Sequence, residues 1–307
     1  RSIFGFSFSL CTANASNVVL MRTDPLIVSS FLSLGAVALY AVPMRIAEQL
    51  FAVSKQMINV FSPLFAQLHG GGRRESVRAA YLTCSKFSFA MMVAVVTPAM
   101  CYAGQALEFW VGDGFADARG VLSVLLIAAL MRTLQESSAN ALVMTGGHTF
   151  VARMAALSAA ANIALSLAFV VHFGIVGVAA ATLVSVIVFG VLVTTVAACR
   201  AFSISAIQFV YRVIVPVVVP ATAQYLLLSL LDQLIQPNSL LDLTVIGAAS
   251  VLTFGILFRF TSLNADERTV VQGWWITARK RLRNVVRPAG HADPEPRSSQ
   301  AICEEPC

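Results

Sequence analysis

Charge is scarce in this sequence. Asp, Glu, Lys and Arg make up 12% of its 307 residues, against about 25% in an ordinary soluble domain. A chain with so little polar surface cannot cover a water-soluble core, so an ordinary soluble domain is excluded. Histidine is scarcer still, with four in the whole chain, and no set of His, Cys, Asp or Glu has the spacing of a metal site. Cys303 and Cys307 stand in a C-x-x-x-C arrangement without a nearby histidine, which is a poor zinc pattern. Cys11, Cys84, Cys101 and Cys199 lie in or beside apolar runs and read as free buried thiols. A Gly-rich phosphate loop is missing as well. The stretch 105–119 has no His, Ser or Cys, so it offers no nucleophile–base pair. An enzyme, such as a membrane polysaccharide polymerase or ligase, would have no visible residues to work with. No cofactor and no metal are expected. An initial Met is also lacking, and no cleavable signal follows Arg1, which reads as a longer protein whose start is missing.

Apolar sequence is what the chain has in abundance. Hydrophobic residues make up 58%, and the mean hydropathy is +0.79. At about 20 residues per crossing, the apolar runs divide into about eight spans: 3–34, 35–65, 83–104, 120–144, 154–173, 178–198, 213–231 and 241–260. The expected fold is therefore all-α, a polytopic transmembrane helical bundle. Spans five and six are joined by the short turn Phe173-Gly174-Ile175-Val176-Gly177 and should form an antiparallel pair. The first span is interrupted by Arg22-Thr23-Asp24-Pro25, where proline favours a kink.

Arg and Lys gather in alternate connections: Arg73, Arg74 and Arg78 after span two, Arg153 after span four, Arg200 and Arg212 after span six, and the tail from Arg259. The other connections carry Glu108, Asp113 and Asp117 against a single Arg119, or no Lys and Arg at all, as in 232–242. The positive-inside rule then puts both termini in the cytoplasm. Most of the net charge of +6 sits in residues 259–287, where seven Arg or Lys stand against Asp266 and Glu267, which suits contact with anionic membrane lipids and not with nucleic acid. Residues 261–287 read as a basic interfacial helix, capped by Asn264 and Glu267 and carrying Trp274-Trp275. Residues 288–307 read as a disordered tail.

The charges inside the spans carry the functional reading. Arg45, Glu48, Gln49, Lys55, Gln56 and Asn59 fall within an arc of about 120° on a helical wheel. Each charge at mid-bilayer costs about 2.5–3.5 kcal/mol on insertion scales. A stripe of this kind faces either an aqueous cavity or a neighbouring helix that pairs with it, and Glu48 has Arg45 and Lys55 as candidate partners. Arg22 and Asp24 either line the same cavity beside a helix break or mark an interfacial helix end. Arg132 and Glu136 stand at i, i+4 and can pair on one face, serving either packing or the cavity. Arg22, Arg45, Lys55 and Arg132 outnumber Asp24, Glu48 and Glu136, so a cavity lined by them favours an anionic substrate such as a phosphate or pyrophosphate.

An ordered set of short motifs adds to this. Asp24-Pro25-Leu26-Ile27-Val28 is followed by Leu34-Gly35-Ala36-Val37-Ala38-Leu39-Tyr40, then Phe61-Ser62-Pro63-Leu64-Phe65, then Phe109-Trp110-Val111-Gly112-Asp113-Gly114-Phe115, then His172-Phe173-Gly174-Ile175-Val176-Gly177. Over about 3–200 this order resembles the second half of the polysaccharide-biosynthesis flippases, lipid-linked oligosaccharide exporters of the MOP superfamily, although Ala38-Leu39-Tyr40 lacks the glycine of a common Gly-x-Tyr element. The resemblance implies a six-helix bundle over 1–200, with a linker and two extra helices over 201–260, and a first bundle that this chain does not contain. It implies a bacterial inner-membrane flippase for an undecaprenyl-pyrophosphate-linked glycan, working by alternating access, with other polysaccharide assembly proteins as candidate partners. Arg22, Arg45, Lys55 and Arg132 would bind the headgroup. Asp24, Glu48 and Glu136 would couple an ion or balance charge, and Gln49, Gln56 and Asn59 would line the path. The nearest rival is a MATE-like drug or cation antiporter, in which acidic lining would more often dominate.

Overall fold

The computed structural model describes residues 2–112, 114–234, 237 and 239–263. The expected interfacial helix and tail, with Cys303 and Cys307, lie outside the described residues. Among the described residues the secondary structure is helical throughout, as it must be where lipid offers backbone groups no hydrogen bonds. The helices are α1 (Ser2–Phe31), α2 (Leu34–Gly70), α3 (Arg74–Cys101), the short α4 (Ala103–Val111) and α5 (Arg119–Met144). They are followed by α6 (His148–Ala201), α7 (Ala206–Leu234) and α8 (Leu240–Thr261). Five of these, α2, α3, α6, α7 and α8, are long and apolar enough to cross a membrane. The protein is a multi-pass membrane protein. Helices α1 and α5 are also of spanning length but carry charges.

The turn expected at Phe173–Gly177 is present inside α6. Gly174 has φ +58° and ψ −140°, a left-handed backbone that few side chains adopt. It splits α6 into two arms. Asn162 and Thr182 would be about 30 Å apart in a straight helix at 1.5 Å per residue, yet their side chains meet at 3.0 Å. The arms are therefore antiparallel. They close tightly because Gly177 has no Cβ, which would stand 2.4 Å from the Phe169 carbonyl oxygen.

One expectation fails. Pro25 does not interrupt the first span, since α1 is helical from Ser2 through Phe31. Packing against α6 and α2 holds the helix across the missing backbone donor, as neighbours commonly do in membranes. Asp24 consequently sits inside a helix and not at an interfacial end.

The main core is contributed by α1 to α6 and includes Val28, Tyr40, Phe51, Leu107, Leu122, Leu126 and Val178. Short hydroxyl contacts stitch the helices together: Tyr81 to Ser138 at 2.8 Å, Ser85 to Ser137 at 3.1 Å and Ser138 to Thr195 at 3.1 Å. A second, smaller cluster of Tyr102, Leu228, Leu243 and Ile246 packs α7 and α8 together beside the end of α3. Lys86, buried in α3, donates to the Ser262 carbonyl at the end of α8 and lies 5.9 Å from the Phe258 ring. A cation at a helix C-terminus is favourable, and here it ties the α7–α8 hairpin to the bundle.

Candidate functional site

Helices α1 and α2 are joined by Leu32 and Ser33 alone, with the Ser33 hydroxyl accepting from the Ala36 amide and starting α2. The link turns the chain back, so Asp24 and Tyr40, at similar distances either side of it, come level. The Tyr40 hydroxyl donates to Asp24 Oδ2 at 2.9 Å. Ser166 and Thr182 stand equally far on either side of Gly174, and the turn brings them level too. Thr182 donates to Asp24 Oδ2 at 2.8 Å, and Ser166 to Oδ1 at 3.4 Å. Asn162 donates to Thr182, while its own carbonyl oxygen is buried without a hydrogen-bond partner among the described residues. Asp24 is 1% exposed. Three helices thus converge on one carboxylate through three hydroxyls, and among the described residues no Lys, Arg or His forms an ion pair with it.

A second polar seam runs between α2 and α5. Thr133, Glu136 and Asn140 follow a helical repeat on one face, opposite Ser54, Lys55 and Ser62. Ser54 meets Thr133 at 3.4 Å, and Asn140 Nδ2 donates to Ser62 at 2.8 Å. Between them Lys55 Nζ pairs with Glu136 Oε1 at 2.9 Å. The Lys55 side chain remains 41% exposed and that of Glu136 20%. The Arg132 guanidinium lies 4.5 Å above the Phe51 ring, a geometry in which the π face attracts the cation.

Two cavities adjoin these groups. One of about 180 Å³ is bordered by Lys55, Arg132, Gln135, Glu136, Asn140 and Ser158, among others. A smaller one of about 40 Å³ is bordered by Asp24, Tyr40, Glu48, Phe51, Arg132 and Thr182. Arg132 borders both, so it stands between the basic cavity and the buried carboxylate.

The candidate residues from sequence divide accordingly. Asp24, Glu48, Lys55, Arg132 and Glu136 border the two cavities. Arg22, Arg45, Gln49, Gln56 and Asn59 do not, and are exposed on the surfaces of α1 and α2. Arg45 pairs with Glu48 at 3.0 Å, its side chain 59% exposed, which decides between the two partners open to Glu48. Glu136 gives its carboxylate to Lys55 across the helix interface, a partner that i, i+4 spacing does not reveal. Ser166, Thr182 and Lys86 carry no signal in the sequence, and Tyr40 enters it only as part of the Ala38-Leu39-Tyr40 motif, with nothing to tie it to Asp24. Hydroxyl groups have no periodic signature, and their convergence depends on the Gly174 turn.

Residues 1–119 match the family described as "Polysaccharide biosynthesis protein". A structure of the lipid II flippase MurJ in an inward closed conformation superposes with a TM-score of 0.64, at 14% identity over 82% of this chain and 52% of that one. The chain has the fold of a MOP-superfamily transporter. A MOP-superfamily transporter from Pyrococcus furiosus matches with a TM-score of 0.51 at 18% identity, over 84% of this chain and 61% of that one. An outward-facing multidrug-resistance MATE transporter matches at 0.50 and 18%, over 83% and 62%. The chain therefore spans between half and two thirds of the length of these MOP-fold structures. No match was found among curated proteins.

Proposed function

We propose that this chain forms the second bundle of a flippase that carries a lipid-pyrophosphate-linked oligosaccharide across the bacterial inner membrane by alternating access, with both termini on the cytoplasmic side. The observation that carries this reading is the cavity bordered by Lys55 and Arg132, two cations at a polar seam of an otherwise apolar bundle. Low dielectric strengthens their field, and arginine's planar donor fork suits phosphate oxygens. Lys55 exchanges Glu136 for the headgroup when substrate arrives. Arg22 and Arg45, with Gln49, Gln56 and Asn59, lie on surfaces that a first bundle would close over, and contact the substrate there. The match of residues 1–119 to polysaccharide biosynthesis proteins supports the substrate class.

Asp24 is the ion-coupling group. A carboxylate buried among hydroxyls is neutralised most cheaply by a proton or a monovalent cation, and the unpartnered Asn162 oxygen offers such a cation a further ligand. Because Arg132 borders the cavities of both sites, a change in charge at Asp24 alters the field at the headgroup cations.

In cells that carry the complete gene, Lys55→Ala and Arg132→Ala are expected to abolish glycan export at normal expression, and Arg45→Ala to reduce it. Wild-type export by both of the first two would overturn the reading. A second reading, a MATE-like drug or cation antiporter, is favoured by the burial of Asp24 among hydroxyls, since a cation exchanger needs such a carboxylate. Drug resistance conferred by the gene, with normal glycan export in its absence, would establish that reading instead.

A further inference from the structure

A cavity of about 690 Å³ lies away from the two already described, where α3 ends, α5 begins and α7 ends. Its volume falls in the range of sites that bury a small amphiphile. Its wall is mostly apolar, with Met100, Val218 and Leu228 alongside the half-exposed ring of Tyr225. Hydroxyls of Thr97, Ser123, Thr222 and Ser229 interrupt it, and its charged groups sit at the helix ends. Arg119 stands in the first turn of α5 and Asp232 in the last turns of α7, both exposed and both bordering the cavity. The two are not joined in an ion pair with each other among the described residues.

Arg119 is conspicuous in the sequence. It is the only Arg or Lys in the connections 32–33, 102–119, 173–177 and 232–239, all at the end of the bundle where the acidic residues gather. A lone cation there does not serve a general attraction to anionic lipid. It shares the border of a largely apolar cavity with a single carboxylate, Asp232.

We propose that this cavity holds a zwitterionic phospholipid with a primary ammonium headgroup, taken from the adjoining leaflet. The Arg119 guanidinium receives the phosphate, Asp232 receives the ammonium, and the upper acyl chains lie along Met100, Val218, Tyr225 and Leu228. One charge of each sign, neither in an ion pair among the described residues, complements a zwitterion. An anionic headgroup gains only the Arg119 contact and meets repulsion from Asp232. Such a lipid would fill the space between α3 and α7 and fasten the α7–α8 hairpin to the bundle. The inference does not depend on what is transported.

The test uses the complete protein, stripped of lipid in detergent and titrated with phosphatidylethanolamine or phosphatidylglycerol, with bound lipid counted by native mass spectrometry. The wild type is expected to bind phosphatidylethanolamine about tenfold more tightly, the equivalent of one good polar contact. Asp232→Asn should erase the preference, and Arg119→Gln should weaken both lipids. Both side chains are exposed, so the variants are expected to fold, which size-exclusion profiles will establish. Tyr225→Ala, on the apolar wall, should weaken both lipids without changing their ratio. Equal wild-type affinity for the two lipids, or an unchanged preference in Asp232→Asn, would overturn the proposal.

Discussion

Two polar sites share the bundle and are built in opposite ways. Asp24 is sealed, 1% exposed, and held by three hydroxyls from α2 and from both arms of α6. Lys55 and Glu136 form an ion pair beside open space, the lysine side chain 41% exposed. In the first site the surrounding structure is committed to the carboxylate, and removing it strands buried donors. In the second, each partner can be solvated or can turn to a ligand. The difference separates a group that sets the energetics of the bundle from groups that can meet a substrate.

Stability and transport should therefore respond differently at the two sites. The largest loss of stability is expected for Asp24→Ala. It leaves the hydroxyls of Tyr40 and Ser166 without their acceptor and Thr182 with only the Val178 carbonyl at 3.3 Å, at about 1–3 kcal/mol for each buried unsatisfied group. Thermal unfolding in detergent should register this as a drop of many degrees, whereas Asp24→Asn, which keeps an acceptor, should fall less and still lose ion coupling. Gly177→Ala comes next. Its Cβ would collide with the Phe169 carbonyl, and the forced shift should cost about 1–3 kcal/mol while disturbing Thr182. Ser54→Ala, which removes one hydroxyl contact between α2 and α5, should cost about 1 kcal/mol, readable as a small shift in the same melting curve. The smallest loss is expected for Lys55→Ala, at about 0–1 kcal/mol for a solvent-accessible pair, despite its predicted loss of export. A charge swap, Lys55→Glu with Glu136→Lys, sharpens the contrast. If the pair served only packing, the swap would restore export. The account expects the melting temperature to recover and export to stay impaired, because the cation then projects from α5.

The helical class and the antiparallel pair around Gly174 were legible in the sequence, as was the presence of charges within the apolar runs of α1, α2 and α5. Apolar runs and charges within them are strong signals, and a glycine-containing turn between two runs leaves few alternatives. Asp24 was recognisable as a carboxylate in lipid, but its partners were not. Tyr40, Ser166 and Thr182 lie on other helices, and only the Leu32–Ser33 link and the Gly174 turn make them level. Glu136 illustrates the same limit, since spacing along one helix points to Arg132 on that helix and gives no sign of Lys55 on α2, which lies 2.9 Å from it. The break expected at Pro25 did not occur because packing against α6 and α2 maintains the helix. Lys86 has no distinguishing signal in the sequence, because its role depends on α8 ending beside it.

The most direct test of the central claim is a titration of the purified complete protein with undecaprenyl pyrophosphate, bound ligand being counted by native mass spectrometry, in the wild type and in Lys55→Ala/Arg132→Ala. Two charge-assisted contacts at about 1.5–3 kcal/mol each predict saturable binding by the wild type and an affinity at least about a hundredfold weaker in the double variant. Equal affinities in the two proteins would contradict the assignment of these cations to the lipid pyrophosphate.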